Sequence, residues 1–264
     1  MAERRAELKK ILIIGIGAGN PGHLTLQAVD ALNRADAFFI MDKGPTKEKL
    51  TAFRKAICER HITGRSYRFI DGASPEWQRE HDTADYLATI DKLNQDKEEV
   101  FERMIVEGLG DDECGAFLVW GDPPLYDSTI RIVGGIAGKG LIDPDFEVIP
   151  GISCIQALTA RHRITLNQIG GSVQITTGRR LAQGWPDGVD SVVVMLDAEN
   201  SYKLYADQDM EIYWGAYVGT PDEIVMSGRL KDVAGRIEQV RAEARRANGW
   251  IMDTYLLRRI TGGA

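Results

Sequence analysis

The sequence predicts an α/β protein of two domains, the first with a mainly parallel sheet and crossover helices, the second with a mixed sheet and helices. Up to Pro150, short apolar runs alternate with amphipathic stretches, which is typical of a parallel sheet with crossover helices. Beyond Gly151, strand-like runs crowd together and only one strong late helix is visible. A chain of 264 residues is long enough to bury two cores. We therefore expect domains at 1–150 and 151–264.

The apolar runs of the first domain predict strands connected by helices. The predicted strands are Ile11–Ile14, Ala37–Met41, Tyr67–Ile70, Ala116–Trp120 and Phe146–Ile149, and the predicted helices are Leu24–Ala35, Lys47–Arg60 and Asp82–Leu109. The first helix should carry Leu26, Val29 and Leu32 on one face. The third helix has apolar residues at roughly helical spacing among many charges, which predicts a long solvent-facing helix.

The second domain is predicted from five strand-like runs and one helix. The strands are Val173–Thr176, Ser191–Leu196, Glu211–Val218, Ile224–Ser227 and Trp250–Leu257, and the helix is Asp232–Ala247.

The loop after the fourth predicted strand is the strongest candidate for a ligand site. The apolar run from Phe117 stops at Gly121-Asp122-Pro123-Pro124, and ligands of α/β sheets bind at the carboxyl ends of strands. Asp122 offers a carboxylate, and Ser128 is expected to cap the next helix. An ordinary strand-to-helix turn remains the alternative.

The glycines after the first strand do not complete a dinucleotide-binding fingerprint. Gly15, Gly17 and Gly19 follow the strand, but the position of the third fingerprint glycine holds Asn20, and Pro21 comes next. A tight turn without a bound phosphate is the favoured interpretation of this loop.

Composition excludes several classes of function. The 32 Lys and Arg residues against 39 Asp and Glu residues leave a net charge of −7 without a concentrated basic stretch, which argues against nucleic acid as a partner. The chain has no apolar run of the roughly 20 residues needed to span a membrane, and no signal-like apolar core follows its first residues. Three scattered cysteines and four unpaired histidines predict no disulfide framework and no metal site. We expect a cytoplasmic protein.

Three motifs in this order resemble those of the tetrapyrrole methylase family, and the similarity extends over nearly the whole chain. The motifs are Gly15-x-Gly17-x-Gly19-x-Pro21-x-x-Leu24-Thr25-Leu26-x-Ala28, Gly121-Asp122-Pro123-x-x-Tyr126 and Val148-Ile149-Pro150-Gly151-Ile152-Ser153. Further details are similar to the family's corrin branch: Trp120, Tyr126–Thr129, Thr176–Arg180, Ile212–Tyr217 and Trp250–Tyr255. One departure is Asn20, since family members usually have Asp there.

The resemblance implies the two-domain tetrapyrrole methylase fold, a homodimer, and S-adenosyl-L-methionine as methyl donor. It also implies a set of donor-binding residues: Ala18, Trp120, Gly121, Asp122, Leu125, Ser153, Cys154, Met195, Tyr217 and Thr220. The substrate that it implies is precorrin-5, methylated at ring carbon 1 with release of a two-carbon acyl group as acetate.

Loss of the acyl group requires water at a carbonyl and stabilisation of the developing oxyanion. Asp127 or Asp253 is a candidate base and Tyr126, or an arginine, a candidate donor, although helix capping explains Asp127 and burial of an amphipathic ring explains Tyr126 equally well. The substrate has many carboxylates, so Arg131, Arg179 and Arg180 are candidate clamps, with a solvated surface as the alternative for each.

Other functions remain open at this point. Asp122-Pro123-Pro124 nearly matches the Asp-Pro-Pro-Tyr motif of DNA adenine methyltransferases, but Tyr126 comes one place late. Relatives that methylate another precorrin position or a macromolecule are a second alternative. The third is a protein that binds a corrinoid intermediate without turning it over.

Overall fold

The computed structural model describes residues 8–42, 48–75, 86–139 and 143–260. The chain divides into two compact units. The first unit takes in Met1–Gly17 and Pro21–Ile152, and the second takes in Ala18–Asn20 and Ser153–Ala264. A short piece of the first glycine-rich loop therefore belongs to the second unit.

The first unit contains a five-stranded parallel sheet. Its strands are β1 (Leu8–Gly15), β2 (Ala37–Asp42), β3 (Arg68–Ala73), β4 (Cys114–Val119) and β5 (Asp143–Ile149), in the order β3-β2-β4-β1-β5. Both faces of β1 are covered, because Ile11 and Ile13 enter one buried cluster while Leu12 and Ile14 enter another. Such two-sided burial is why the central strands β1, β2 and β4 have nearly continuous apolar sequences. The prediction of a parallel sheet is confirmed.

The helices of the first unit are α1 (Leu26–Leu32), α2 (Glu48–His61), α3 (Tyr86–Gly108) and α4 (Thr129–Gly138). The predicted face of α1 is right for Leu32, which is buried, but wrong for Leu26, which is 85% exposed, since Ala28 and Ala31 are buried in its place. Side chains two positions apart in a helix differ by roughly 200° in direction. Leu26 therefore points away from the sheet when Ala28 packs against it.

Helix α3 is amphipathic rather than solvent-facing, as Val100, Met104 and Ile105 are buried against the sheet. The first residues of the helix predicted at 82–109, residues 82–85, lie outside the described part of the chain.

The second unit contains a five-stranded mixed sheet. Its strands are β6 (Val173–Thr177), β7 (Ser191–Met195), β8 (Met210–Ala216), β9 (Ile224–Arg229) and β10 (Asp253–Arg259), in the order β6-β7-β10-β8-β9. The β6 and β7 strands run parallel, and the other pairs are antiparallel. The prediction of a mixed sheet is confirmed.

The helices of the second unit are α5 (Cys154–His162), α6 (Gly178–Leu181) and α7 (Leu230–Asn248). Sequence reasoning found α7 and missed α5, which is only 9 residues long. The signal for α5 was present, since Ser153 and Gln156 form a capping box at its start.

A buried ion pair holds α7 against the sheet of the second unit. Arg241 Nε donates to Asp253 Oδ2 at 2.9 Å, and the two side chains are 9% and 7% exposed. Burial by itself lowers the pKa of Arg241, but the hydrogen bond and the charge of Asp253 outweigh it and raise this pKa. Trp214 Nε1 also donates to Asp253, at 3.0 Å. Asp253 is therefore engaged in the core, which argues against the predicted role as a base.

Candidate active site

Backbone segments approach closely at the carboxyl end of the first sheet. The N–H of Gly121 donates to the carbonyl of Gly17 at 2.9 Å, and the N–H of Gly17 donates back at 3.3 Å. Gly121 has a φ of 76°, which favours glycine. The glycine-rich loop and the loop after β4 are thus joined by a short antiparallel bridge.

Gly151, after β5, completes this arrangement. A Cβ atom on Gly151 would lie 2.1 Å from the carbonyl oxygen of Gly121, and one on Gly15 would lie 2.6 Å from the nitrogen of Gly151. These distances leave no room for any side chain at either position. We call Gly15, Gly17, Gly121 and Gly151 the glycine cluster.

Asp122 ties two of these loops together. Its Oδ1 accepts a hydrogen bond from the N–H of Gly151 at 3.1 Å, and its carbonyl accepts one from Leu125 at 3.0 Å. Leu125 is partly buried in the same turn. The carboxylate therefore shapes the loop in addition to any contact with a ligand.

The start of α4 differs from its predicted form. The side chain of Ser128 forms no capping hydrogen bond, so the prediction for Ser128 is wrong. Instead, Asp127 Oδ1 accepts a hydrogen bond from the N–H of Thr129 at 2.7 Å. Ser128 is held with a φ of −101° and a ψ of −6°, near helical values, whereas a capping serine adopts an extended backbone.

Two aromatic residues flank this loop. Tyr126 is 46% exposed with a φ of 53°, and burial of its ring raises the pKa of its hydroxyl, which keeps the phenol protonated. The Trp120 ring lies against that of Phe53, with centroids 4.9 Å apart. Its Nε1 is buried without a hydrogen-bond partner among the described residues.

A cavity of about 480 Å³ lies in the first unit beside this loop. Its walls include the predicted residues Tyr126, Asp127 and Arg131. Arg54 and Lys97 also line it, and sequence reasoning missed both. The described lining residues are Phe39, Met41, Arg54, Ser74, Leu93, Asn94, Lys97, Phe101, Phe117, Leu118, Val119, Tyr126, Asp127, Ser128, Thr129 and Arg131. Such a volume is typical of a small-molecule site.

In the second unit, the predicted donor-binding residues gather at one edge of the sheet. Met195 ends β7 and pairs with Thr254 on β10. The side chain of Thr254 forms a hydrogen bond with that of Cys154. Ala18 packs with Cys154 and Val218, which follows Tyr217 after β8. The structure thus brings together residues that are far apart in the sequence.

Several of these side chains already have structural hydrogen bonds. Ser153 caps α5 by accepting from the N–H of Ile155 at 3.1 Å, and Thr220 Oγ1 donates to the carbonyl of Tyr217 at 2.8 Å. Burial raises the pKa of Cys154 to about 11, so its thiol stays neutral. At this edge, a ligand would meet backbone groups and small neutral side chains.

The predicted arginine clamps fall in different units. Arg131 lines the cavity of the first unit, whereas Arg179 and Arg180 lie on α6 in the second unit and are exposed. Arg180 Nη1 donates to Gln183 Oε1 at 3.2 Å. Among the described residues, no group of three acidic, histidine or cysteine side chains is placed to hold a metal ion. No helix in the described ranges is long and apolar enough to cross a membrane.

The family model described as Tetrapyrrole (Corrin/Porphyrin) Methylases matches residues 10–234. The chain belongs to this family. A deacetylating precorrin-6A synthase of Sinorhizobium sp is 49% identical to this methylase over 259 residues, which cover 98% of both chains.

Two solved structures are similar to this methylase. A putative cobalamin synthesis related protein (CobF) from Corynebacterium diphtheriae has a TM-score of 0.81 and 34% identity, with 96% of this chain and 100% of that chain covered. The fold is also that of a uroporphyrin-III C-methyltransferase from Thermus thermophilus in complex with S-adenosyl homocysteine, with a TM-score of 0.54, 16% identity and coverage of 94% and 97%. Membership of the family excludes a DNA adenine methyltransferase.

Proposed function

We propose that this methylase is a deacetylating precorrin-6A synthase of aerobic cobalamin biosynthesis. It transfers a methyl group to ring carbon 1 of precorrin-5 and releases acetate. The observation that carries the proposal is the similarity to the Sinorhizobium enzyme, which extends over nearly the full length of both chains. The corrin-branch details, including Trp120 and Tyr126–Thr129, lie in and beside the loop that adjoins the cavity. We further propose a cytoplasmic homodimer.

The methyl donor of the proposed reaction is S-adenosyl-L-methionine. Its proposed contacts in the first unit are Trp120, Gly121, Asp122 and Leu125, and those in the second unit are Ala18, Ser153, Cys154, Met195, Tyr217 and Thr220. Two observations fit such a group: the unpartnered Nε1 of Trp120, and the small apolar side chains packed around Ala18, which suit a flat purine ring. When bound, this donor supplies an electrophilic sulfonium methyl group.

Methyl transfer is chiefly a matter of positioning, since the macrocycle carbon must lie roughly 3–3.5 Å from the methyl group at attack. The glycine cluster suits this task, because backbone packed without side chains is rigid and lets a ligand approach closely. The protein needs no side-chain nucleophile for this step.

Release of acetate begins with addition of water to the acyl carbonyl. The bond between the acyl carbon and ring carbon 1 then breaks, and its electron pair stays with the ring carbon that takes the methyl group. Acetate leaves with the oxygen of water, and the proton released from water passes to the base. Tyr126 is the proposed donor to the oxyanion, because its phenol stays protonated and lines the cavity. Asp127 is the proposed base, although one of its oxygens is engaged by Thr129.

The decisive experiment incubates the protein with precorrin-5 and S-adenosylmethionine labelled in the methyl group. We expect methylated tetrapyrrole and free acetate in equal amounts. Methylation without acetate would contradict the deacetylating assignment and favour a methylase of another precorrin position. Absence of any calorimetric response to S-adenosylmethionine would instead indicate a protein that only binds a corrinoid.

Replacement of Asp122 tests its role at the donor site. Asp122→Ala should weaken binding of S-adenosylmethionine by about 10-fold to 100-fold, because the Gly151 N–H loses a charged acceptor and the two loops separate. Asp122→Asn should retain most of the affinity, since its amide oxygen also accepts this hydrogen bond. Isothermal titration calorimetry measures both variants.

The matched control is Asp112→Ala, at an exposed turn before β4. It should leave the affinity unchanged. If Asp122→Ala binds S-adenosylmethionine as tightly as the wild-type protein does, Asp122 is not part of the donor site. If Asp122→Ala and Asp122→Asn lose the same affinity, the charge of Asp122 is required rather than its contact with the loop.

A further inference from the structure

Arg54 is a partly buried charge to which the proposed reaction assigns no role. It lies on α2, where its Nε donates to the carbonyl of Leu118 at 3.0 Å and its Nη1 donates to the carbonyl of Leu50 at 3.1 Å. Within the described ranges it forms no ion pair with a carboxylate. Burial lowers the pKa of Arg54, and the charge of Asp127 opposes this effect only in part.

A partly buried guanidinium without an ion-pair partner among the described residues is costly, because a charge withdrawn from water needs a compensating partner. The two carbonyls engage two of its N–H groups and hold its position. The remaining N–H groups are suited to a planar anion, since a guanidinium binds carboxylates through parallel hydrogen bonds.

The other charged residues of the cavity also favour binding of an anion. Lys97 and Arg131 line it together with Arg54, whereas Asp127 is the single acidic residue among the described lining residues. One oxygen of Asp127 is already bound to the N–H of Thr129. Even without Lys97, the described walls carry two guanidinium groups against one carboxylate, which favours an anionic ligand.

The apolar part of the wall narrows the chemistry of this ligand. Phe101 stacks on Phe117 and Phe39 lies tilted against Phe117, with ring centroids 4.4 Å and 4.5 Å from that of Phe117, and these largely buried rings form part of the cavity wall. Methylene groups pack well against such rings, and a carboxylate pairs with a guanidinium. An aliphatic arm that ends in a carboxylate satisfies both requirements, whereas inorganic phosphate satisfies only the second.

We propose that Arg54 is a substrate-binding residue and that the cavity of the first unit is the subsite for one carboxylate side arm of the tetrapyrrole. This inference rests on the proposed function, which supplies a substrate with many carboxylates. Arg54 holds the arm by a bidentate ion pair, and thereby sets the rotation of the macrocycle about its own axis relative to the loop that contains Asp122.

The test compares Arg54→Gln and Arg54→Lys with the control Arg60→Gln, an exposed position on the same helix. The probe is uroporphyrin III, a stable polycarboxylate tetrapyrrole, titrated by fluorescence quenching. Arg54→Gln should raise its dissociation constant about 10-fold to 100-fold, and Arg54→Lys should raise it less, because the charge remains while the fork geometry is lost. Arg60→Gln should match the wild-type protein.

Calorimetry with S-adenosylmethionine and thermal unfolding of each variant complete the test. Unchanged donor affinity in Arg54→Gln together with weaker tetrapyrrole binding supports the subsite. Equal loss of both affinities with a lower melting temperature in both Arg54 variants would show a structural role and overturn the inference.

Failure of the inference can be distinguished from failure of the proposed function. If Arg54→Gln binds uroporphyrin III as the wild-type protein does while methylation and acetate release are intact, the subsite is wrong and the function stands. If the wild-type protein binds neither the tetrapyrrole nor the donor, the function is wrong and the inference is lost with it.

Discussion

Replacement of Gly151 with alanine should destabilise the first unit by about 3 kcal/mol and abolish methyl transfer. The added Cβ would lie 2.1 Å from the carbonyl oxygen of Gly121 and 2.9 Å from the Cα of Gly15. All of these neighbours are backbone atoms, so no side-chain rotation relieves the clash. The loops that contain Gly15 and Gly121 must separate, and the proposed donor site separates with them.

Urea denaturation and the methyl-transfer assay measure the two effects. Gly134→Ala is the matched control, because Gly134 lies in the interior of α4, is exposed, and has nothing within 4 Å of the added Cβ. Alanine there should raise the free energy of unfolding by roughly 0.5–1 kcal/mol, as expected for a helix interior. A Gly151→Ala variant with the stability and activity of the wild-type protein would show that the loops do not approach this closely in solution.

The second large effect is expected in the second unit, where Arg241→Met should cost about 3–5 kcal/mol of the free energy of unfolding. Methionine occupies much of the same space but leaves the carboxylate of Asp253 buried without its cation. Arg241 also donates to the carbonyl of Asp197 at 2.6 Å, so a second buried acceptor loses a donor. Urea denaturation followed by circular dichroism measures this loss.

An exposed ion pair is the control for this experiment. Lys203 Nζ lies 2.8 Å from Glu238 Oε1, and the two side chains are 49% and 44% exposed. Lys203→Met should lower the free energy of unfolding by no more than about 1 kcal/mol. The double variant Arg241→Met with Asp253→Asn should be more stable than Arg241→Met alone, because it also removes the uncompensated charge. A double variant that is less stable than both single variants would contradict this account.

The central strands of the first sheet were predictable from the sequence because they consist of continuous apolar runs. Strands that are buried on both faces, such as β1 and β4, need apolar side chains at nearly every position, and the resulting run is easily recognised in the sequence. Helix α5 was missed because its 9 residues span too few turns to establish a periodicity. The face of α1 was predicted incorrectly because one exposed leucine, Leu26, was counted as part of its apolar stripe.

The local chemistry of the site was less predictable. Ser128 is a favoured capping residue by type, yet Asp127 provides the hydrogen bond at the start of α4. The choice between them depends on the backbone conformation of the turn, in which Tyr126 has a φ of 53°. Asp253, a candidate base by residue type, is engaged by Arg241 because β10 and α7 pack together.

The sequence alone determined the family resemblance and the alternation of strands and helices, since both depend on residue types at short spacing. It also located the Gly121-Asp122 loop at the end of a strand. Only the tertiary structure decided that Gly15 and Gly151 meet at this loop, and that Arg54 shares a cavity with Lys97 and Arg131. Contacts of this kind join segments far apart in the chain, because a parallel sheet places the ends of distant strands side by side.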